Sequence, residues 1–464
     1  MVAIKKSTER GRMATMFAES RQGSLPLPPR ERFSPKVERE IQHVKDIIMT
    51  NRIRDDVFQI KELLLRYMVI QFWKRNMAGE NSLMYLTRMV SAEYEAHLII
   101  LIDFLEKESP ELLRFLLNEQ NVSHGYTPLF YSIYEKKASL FYRYLNTNMV
   151  KLNITNHRGQ TPIFLCAVLE LKEYVDYLLT PPFIQQAKIG HINPEGDTLL
   201  IRTCHHAWED TALKIIESGK GYPQQVCDKG TNALLHAIVK KMPNVAIRLL
   251  ETGIPQANVV YQDDQLTPFM YACTHGLEEV AMKIMDFGNC KLDFITPNNE
   301  TAFMLACFKR LKRVCHRMMD LKVANISQIS KNGITAFMIC CNSAEMMDIA
   351  FRITRESNDF HPKQQNHIGQ TPLMWSIFHK IPQISFFLLK EVEDCGVDCV
   401  DQDGDTALIL AVASGNHEMV SLILEKVSSE HVIHKNMAGL SALDVATDLE
   451  MDQMITLLSR KLEE

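Results

Sequence analysis

Short apolar runs follow polar turns at regular intervals along most of the chain. Two of them, GQTPIFLCAV at 159–168 and GQTPLMWSIF at 369–378, begin with the same four letters. In each, a Gly that suits a tight turn precedes Thr, a good helix N-cap, and Pro, a good first helical residue. The apolar positions that follow are typical of a buried helix face. The pattern therefore predicts a turn that leads directly into a short helix.

This turn-and-helix pattern recurs ten times with almost constant spacing. Successive marker residues are 34 to 37 positions apart, and they are Thr127, Thr161, Thr198, Asn232, Thr267, Thr301, Thr335, Thr371, Thr406 and Ser441. A second amphipathic segment follows each short helix, as in EEVAMKIMDFG at 278–288. Because one such unit cannot bury its own apolar face, we expect neighbouring units to stack into a continuous core.

The residues of the unit resemble the ankyrin repeat, whose signature is Thr-Pro-Leu-His-x-Ala with a period near 33 residues. The second residue after each marker is apolar and the fifth is small in all ten units. The resemblance implies an all-α ankyrin-repeat solenoid of ten or eleven repeats, each with a β-turn and two antiparallel helices. A divergent, lengthened repeat is expected to precede the series, beginning at NMAGENSLMYL (76–86).

One position departs from the ankyrin signature throughout. The His that follows the Leu is replaced by an apolar residue in nine units and by Asp444 in the last. The hydrogen-bond network that this His supports in the family is therefore not expected here. Extra apolar packing, much of it by Met side chains, is expected to replace it.

Composition and pattern divide the chain into four predicted segments. Residues 1–33 are polar and basic, contain LPLPPRERF (25–33), and are expected to be disordered, either as a plain linker or as a ligand for an SH3-type groove. Residues 34–75 are predicted to form a helical N-terminal cap, or alternatively a separate partner-binding helix pair. The repeat array is expected over 76–459, and a short C-terminal tail over 460–464.

Charge and composition limit where the protein acts and what it binds. Residues 1–76 carry 16 Lys and Arg against 9 Asp and Glu, whereas the whole chain carries 51 against 56. An acidic repeat region with a basic head disfavours a nucleic-acid-binding main surface. The first residues lack the apolar core of a secretory signal, and no apolar run is long enough for a membrane span. We therefore expect 11 reduced Cys, no membrane insertion, and a cytoplasmic or nuclear location.

Candidate chemistry is sparse. Cys204, His205 and His206 are adjacent, but consecutive residues on one helix point in different directions, and no second pair completes a tetrahedral site. The chain has no phosphate-binding Gly-rich loop and no nucleophile elbow. We expect no catalytic residues, no cofactor and no bound metal. A metal-dependent enzyme module built on Cys204–His206 is the rival interpretation.

The ankyrin resemblance implies that partner proteins bind along the turn tips and the ends of the first helices, which line a concave groove in that family. Aligned with this surface are His157, Arg158, Gln160, His205, His206, Asp263, Asp264, His275, His367, Gln370, Gln402, Asp403 and Asp405. Asp-rich tips favour a partner with a basic segment, although charged tips are also typical of solvated loops.

The resemblance implies a non-enzymatic interaction scaffold or adaptor, which we expect to be monomeric. Two finer versions remain open. The protein could be an inhibitor that masks a basic segment of a signalling or transcription factor, or it could be the substrate receptor of a ubiquitin ligase.

Overall fold

The structure is a computed structural model that describes residues 34–50, 55–66, 76, 78–253, 259–261, 265–287, 290–357 and 359–463. The expectation of disorder in 1–33 lies outside the described residues. Among the described residues, secondary structure consists of helices and isolated antiparallel β-bridges. Contacts divide the chain into two units, 1–151 and 152–464, and each is described by itself.

The first unit is helical wherever it is described. Its helices are α1 (Pro35–Thr50), α2 (Asp55–Arg66), α3 (Ser82–Met89), α4 (Glu95–Glu108), α5 (Pro110–Asn118), α6 (Pro128–Tyr134) and α7 (Ala138–Asn146), with a 3-10 turn at Ala92–Tyr94. Helix α1 packs against α5, and α2 packs against α4. Their apolar residues Val44, Ile60 and Leu63 are buried in these contacts. The predicted segment limits stay predictions.

Helix α4 accounts for the lengthening expected in the first, divergent repeat. It lies between α3 and α5 in the chain, where the other units have a short connection. Leu98, Leu101 and Leu105 are buried on one side of it, at helical spacing. The repeat pattern predicts extra residues here but not their helical structure, because α4 is additional to the two helices of the repeat unit.

The second unit is a series of helix pairs. In chain order the helices are α8 (Pro162–Val168), α9 (Lys172–Leu178), α10 (Phe183–Gln186), α11 (Leu199–His205), α12 (Glu209–Glu217), α13 (Ala233–Val239), α14 (Pro243–Glu251), α15 (Pro268–Thr274), α16 (Glu278–Asp286), α17 (Ala302–Phe308), α18 (Lys312–Asp320), α19 (Ala336–Cys340), α20 (Met347–Glu356), α21 (Pro372–Phe378), α22 (Pro382–Glu391), α23 (Ala407–Ala413), α24 (His417–Lys426), α25 (Ser429–Ile433), α26 (Ala442–Asp448) and α27 (Asp452–Glu463). A 3-10 turn at Ala344–Met346 precedes α20.

The helix pairs of the second unit form two layers. The first helices pack side by side in the order α8, α11, α13, α15, α17, α19, α21, α23 and α26. The second helices form the other layer, with consecutive contacts from α12 to α20 and from α22 to α27. Phe269, Phe303 and Phe337 are fully buried, so each apolar run fills the core between neighbouring pairs.

Each marker residue is the N-cap of a first helix, as the sequence predicts. The side-chain oxygen of every marker accepts a hydrogen bond from the backbone N–H three residues later. This bond satisfies one of the N–H groups that a helix start leaves without a partner. Most markers are fully buried, so their caps form inside the protein.

The position that the ankyrin signature gives to His is packed in the core. Its occupants are buried in nine units, and they are Phe130, Phe164, Ile201, Leu235, Met270, Met304, Met338, Met374 and Ile409. In the last unit, Asp444 instead accepts hydrogen bonds from the Ser441 backbone N–H and hydroxyl, which completes a capping box. The expectation of extra apolar packing at this position is confirmed in those nine units.

Candidate protein-interaction surface

Several successive turns of the second unit are joined by backbone hydrogen bonds. The Gln402 N–H donates to the Ile368 carbonyl at 2.9 Å, and the Met437 N–H donates to the Asp403 carbonyl at 2.8 Å. At Gly369, where φ is 78°, an added Cβ would lie 2.8 Å from the Asp401 Cα, so the close approach of the two turns requires glycine. We call the turn residues 157–160, 194–197, 228–231, 298–300, 331–334, 367–370, 402–405 and 437–440 the tip row.

The turn geometry also explains two residues that replace glycine. Gln265 and Asn299 have φ values of 55° and 58°, in the same left-handed region as the turn glycines. Asn tolerates this region well, whereas Gln adopts it at a greater cost. The sequence pattern predicts this turn at both positions, and the structure places both residues in it.

Many of the predicted site residues lie on the tip row. They are His157, Arg158, Gln160, His367, Gln370, Gln402, Asp403 and Asp405. The hydrogen bonds between turns bring the tips of His367, Gln402 and Asp403 together, whereas the tip of His157 belongs to a different part of the row. Asp263 and Asp264 lie outside the described residues.

Two carboxylates at or beside the 402–405 tip accept hydrogen bonds from other groups of the chain. Asp401 Oδ1 accepts hydrogen bonds from the backbone N–H groups of Asp403 and Asp405. Asp405 Oδ1 accepts one from the Asn436 side chain at 2.8 Å. Burial raises the pKa of Asp401, and the neighbouring Asp405 and Asp403 charges add to this effect. Of the predicted acidic residues here, Asp403 is the one that is exposed.

The first helices present a second surface beside the tip row. We call it the first-helix face and define it by the residues four, seven and eight positions after each marker, from Arg202 to His379. It consists of Arg202, His205, His206, His236, Val239, Lys240, Tyr271, Thr274, His275, Leu305, Phe308, Lys309, Ile339, Asn342, Ser343, Trp375, Phe378 and His379, all half-buried or exposed. Trp375 Nε1 donates to Gln370 Oε1 at 2.7 Å and so connects this face to the tip row.

Exposed aromatic rings lie on the first-helix face. Phe308 is 63% exposed and Phe378 is 62% exposed, although each belongs to an otherwise buried helix. The Lys309 Nζ lies 5.4 Å from the centroid of the Phe308 ring, and the His379 ring contacts those of Trp375 and Phe378. Each exposed Phe is thus next to a basic side chain. Aromatic side chains are enriched at protein interfaces.

Basic groups cluster at the other end of the same face. The His205 ring contacts the rings of His206 and His236, with centroids 5.2 Å and 5.1 Å away. Burial, together with the charges of nearby basic groups, lowers the pKa of His236 to about 4. Those groups are His205, Lys240, Arg202 and His206. His236 is therefore neutral near pH 7.

Comparison with known proteins agrees with this geometry. A family model of ankyrin repeats matches residues 379–463 in three copies. Residues 379–463 are therefore ankyrin repeats. The chain is also similar to the solved ankyrin repeat domain of Bcl-3, a member of the IkappaB protein family, with 19% identity over 50% of this chain and 99% of that one, at a TM-score of 0.38.

The ankyrin-repeat assignment confirms the predicted all-α solenoid fold class and supports part of the predicted function. Ankyrin repeats are interaction modules, so the chain is a protein-interaction scaffold with protein partners. The fold is typically non-enzymatic. In the part of the chain that the structure describes, no helix combines the length and apolarity needed to cross a bilayer.

The structure places Cys204, His205 and His206 of the ankyrin-repeat protein in three different environments. Cys204 is fully buried, and burial raises the pKa of its thiol. His206 stacks on Trp208, and burial lowers its pKa, while His205 is exposed at the end of α11. Among the described residues, no group of three or more His, Cys, Asp or Glu is arranged to hold a metal ion.

Only part of the first-helix face was predicted from the sequence. His205, His206 and His275 were predicted to bind a partner, whereas no role was predicted for His236, Phe308 or Phe378. Each Phe is the seventh residue after its marker, a position that the repeat register places at the end of a first helix. The repeat register therefore placed each Phe at the end of a first helix. Only the packed structure shows that the Phe ring is exposed there.

Proposed function

We propose that this ankyrin-repeat protein is a non-enzymatic adaptor that holds a partner protein against its first-helix face and the adjoining tip row. The exposed rings of Phe308 and Phe378 are the observation that carries the proposal. Exposed apolar rings cost free energy in water, and a contact with a partner recovers it. Phe rings of this kind are frequent anchors in protein interfaces.

The more specific roles of inhibitor and of ubiquitin-ligase substrate receptor are also proposals. An inhibitor that masks its partner and a receptor that presents it to a ubiquitin ligase would both use this surface. We propose a cytoplasmic or nuclear site of action, which the eleven free cysteines support because disulfides are rare in reducing compartments. A partner with a basic segment remains a prediction that rests on Asp263, Asp264 and the tip of Asp403.

The adaptor proposal is tested by capture with the full-length chain and two variants. Phe308→Ala combined with Phe378→Ala should lose specific partner proteins, since it removes two exposed anchors and leaves the buried core unchanged. Leu321→Ala, which follows second helix α18 and is 46% exposed in the wild type, is the control and should keep them. Captured proteins are compared by quantitative mass spectrometry. An identical set for all three chains would reject this surface as the binding site.

A further inference from the structure

We propose that the partner segment held on the first-helix face is an acidic stretch of polypeptide that carries apolar residues. This inference rests on the proposed function and specifies the chemistry of the partner. It is carried by the charge of the face together with its two exposed Phe rings.

The charge of the first-helix face has one sign. Its permanently charged residues are Arg202, Lys240 and Lys309, and none of its residues between Arg202 and His379 is acidic. Burial lowers the pKa of His206, His236 and His275, so these rings add little to the charge near pH 7. Lys241 extends it, because it directly follows Lys240 at the turn between α13 and α14. The charges of Lys241 and Lys309 both lower the pKa of His275 after the larger effect of its burial, so these groups lie within electrostatic reach of one another.

The lysines of the face form no ion pair within the part of the chain that the structure describes. Within the described residues, Lys240, Lys241 and Lys309 have no carboxylate oxygen at ion-pair distance, whereas Lys283 on the second-helix layer pairs with Glu251. Arg202 is the exception on the face, because it forms an ion pair with Asp197. Like charges gathered without counter-charges raise the local potential, which attracts an acidic partner and speeds its association.

The distance between the two Phe rings determines the spacing of the apolar residues that we expect in the partner segment. Phe308 and Phe378 end α17 and α21, and one first helix, α19, lies between them. With neighbouring helices 8–10 Å apart, the rings are separated by roughly 20 Å. An extended chain covers that distance with about six residues. We therefore expect two apolar residues at about this spacing, with carboxylates placed toward Lys240, Lys241 and Lys309.

A polypeptide fits this face better than a nucleic acid does. Exposed Glu195 and Asp228 lie on the tip row, in the repeat units that contribute Arg202 and Lys240 to the face. A polyphosphate chain carries charge at every unit and would meet these carboxylates as well as the lysines. An acidic peptide can instead place uncharged residues against the tips and its carboxylates against the lysines.

The test uses purified full-length protein and fluorescent peptides of about twelve residues with two Leu about six positions apart. One peptide has Glu and Asp at half of the remaining positions and Ser at the others, and its counterpart has Lys and Arg in place of Glu and Asp. A single-stranded oligonucleotide is the third probe. We expect the acidic peptide to bind and its affinity to fall as salt is added, since exposed charges are screened. Binding of the basic peptide or the oligonucleotide in its place, or of no probe, would overturn the inference.

Charge reversal locates the binding. Lys240→Glu, Lys241→Glu and Lys309→Glu together should weaken acidic-peptide binding by at least about tenfold, because like charges then face each other. The backbone tolerates Glu at the left-handed turn position of Lys241, since Glu170 and Glu450 occupy the same position in other units with φ of 60° and 56°. An unchanged affinity would overturn the inference.

A matched control makes the same change of net charge elsewhere. Lys188→Glu, Lys322→Glu and Lys426→Glu reverse three exposed lysines away from the first helices and should leave peptide affinity unchanged. An equal loss in both triple variants would show a non-specific charge effect and reject the inference. If capture of partner proteins still depends on Phe308 and Phe378 while no acidic peptide binds, only the partner chemistry is wrong and the adaptor proposal stands.

Discussion

At the scale of the residue, His236 shows how the first-helix face differs from the other units in the residue that follows the marker by four positions. Other units place Leu165, Leu305 or Leu410 at the same position, four residues after the marker. His236 instead lies among other basic groups, and burial together with their charge keeps it neutral. A polar group thus occupies a position where the fold accepts a hydrophobic one, which indicates a role on the surface rather than in packing.

Replacing this histidine should make stability less sensitive to acid. An unfolded histidine titrates at about 6.5, whereas His236 in the folded protein titrates at about 4. As pH falls between these values, the unfolded chain gains a proton that the folded chain does not, so stability present at pH 7 is lost. Allowing for partial exposure, we expect His236→Leu to reduce the loss between pH 7 and pH 5 by about 1–2 kcal/mol.

The measurement is urea unfolding of the wild type and His236→Leu at both pH values. His157→Leu, a change at an exposed tip, serves as the control and should lose as much stability as the wild type. If His236→Leu also shows the full wild-type loss, the neutral state of His236 has been assigned wrongly.

At the scale of the element, local sequence signals predicted the helices that begin at a recognisable cap. Thr371 shows why, since the same residue ends the turn, accepts the hydrogen bond from the Met374 N–H and begins α21. Helices α4 and α25 were not predicted. Each of them is additional to the two helices of the repeat unit, so no repeat position marks it. Tertiary packing, which a repeat pattern does not contain, determines both.

Removing a cap should destabilise the chain without changing its fold. Thr371→Ala removes the acceptor of the Met374 N–H and leaves a buried donor unpaired, so we expect a loss of about 1 kcal/mol. Thr371→Ser keeps the hydroxyl and should retain most of the stability. Chemical unfolding followed by circular dichroism measures both variants. Equal losses for Ala and Ser would indicate that the Thr methyl group, and not the cap, stabilises this site.

At the scale of the whole molecule, the chain is built by repetition, and repetition made its fold class predictable. The charge of the first-helix face was harder to predict, because it sums residues from units about thirty-five positions apart that become neighbours only when the first helices stack. Asp403 and Asp405 are close in the sequence, and both were predicted as site residues. Lys309 lies in a different unit from His236 and Lys240, and their proximity was not predicted.

The intact protein should be indifferent to metal ions. A zinc site built on Cys204–His206 would need Cys204 as a thiolate, but Cys204 is fully buried and burial raises the pKa of its thiol. We expect the melting temperature to be the same with zinc, with EDTA and with neither. Native mass spectrometry checks the same point independently. Stoichiometric bound zinc, or a lower melting temperature in EDTA, would support the rival metal-dependent module.

The indole side chains of Trp208 and Trp375 have a practical consequence. The chain has three Trp, and these two lie against the first helices, one stacked on His206 and the other hydrogen-bonded to Gln370. Indole fluorescence responds to changes in solvation, and a protonated imidazole quenches a neighbouring indole. The surface therefore carries its own intrinsic fluorophores, and its occupancy can be followed from emission intensity and wavelength without attaching a dye.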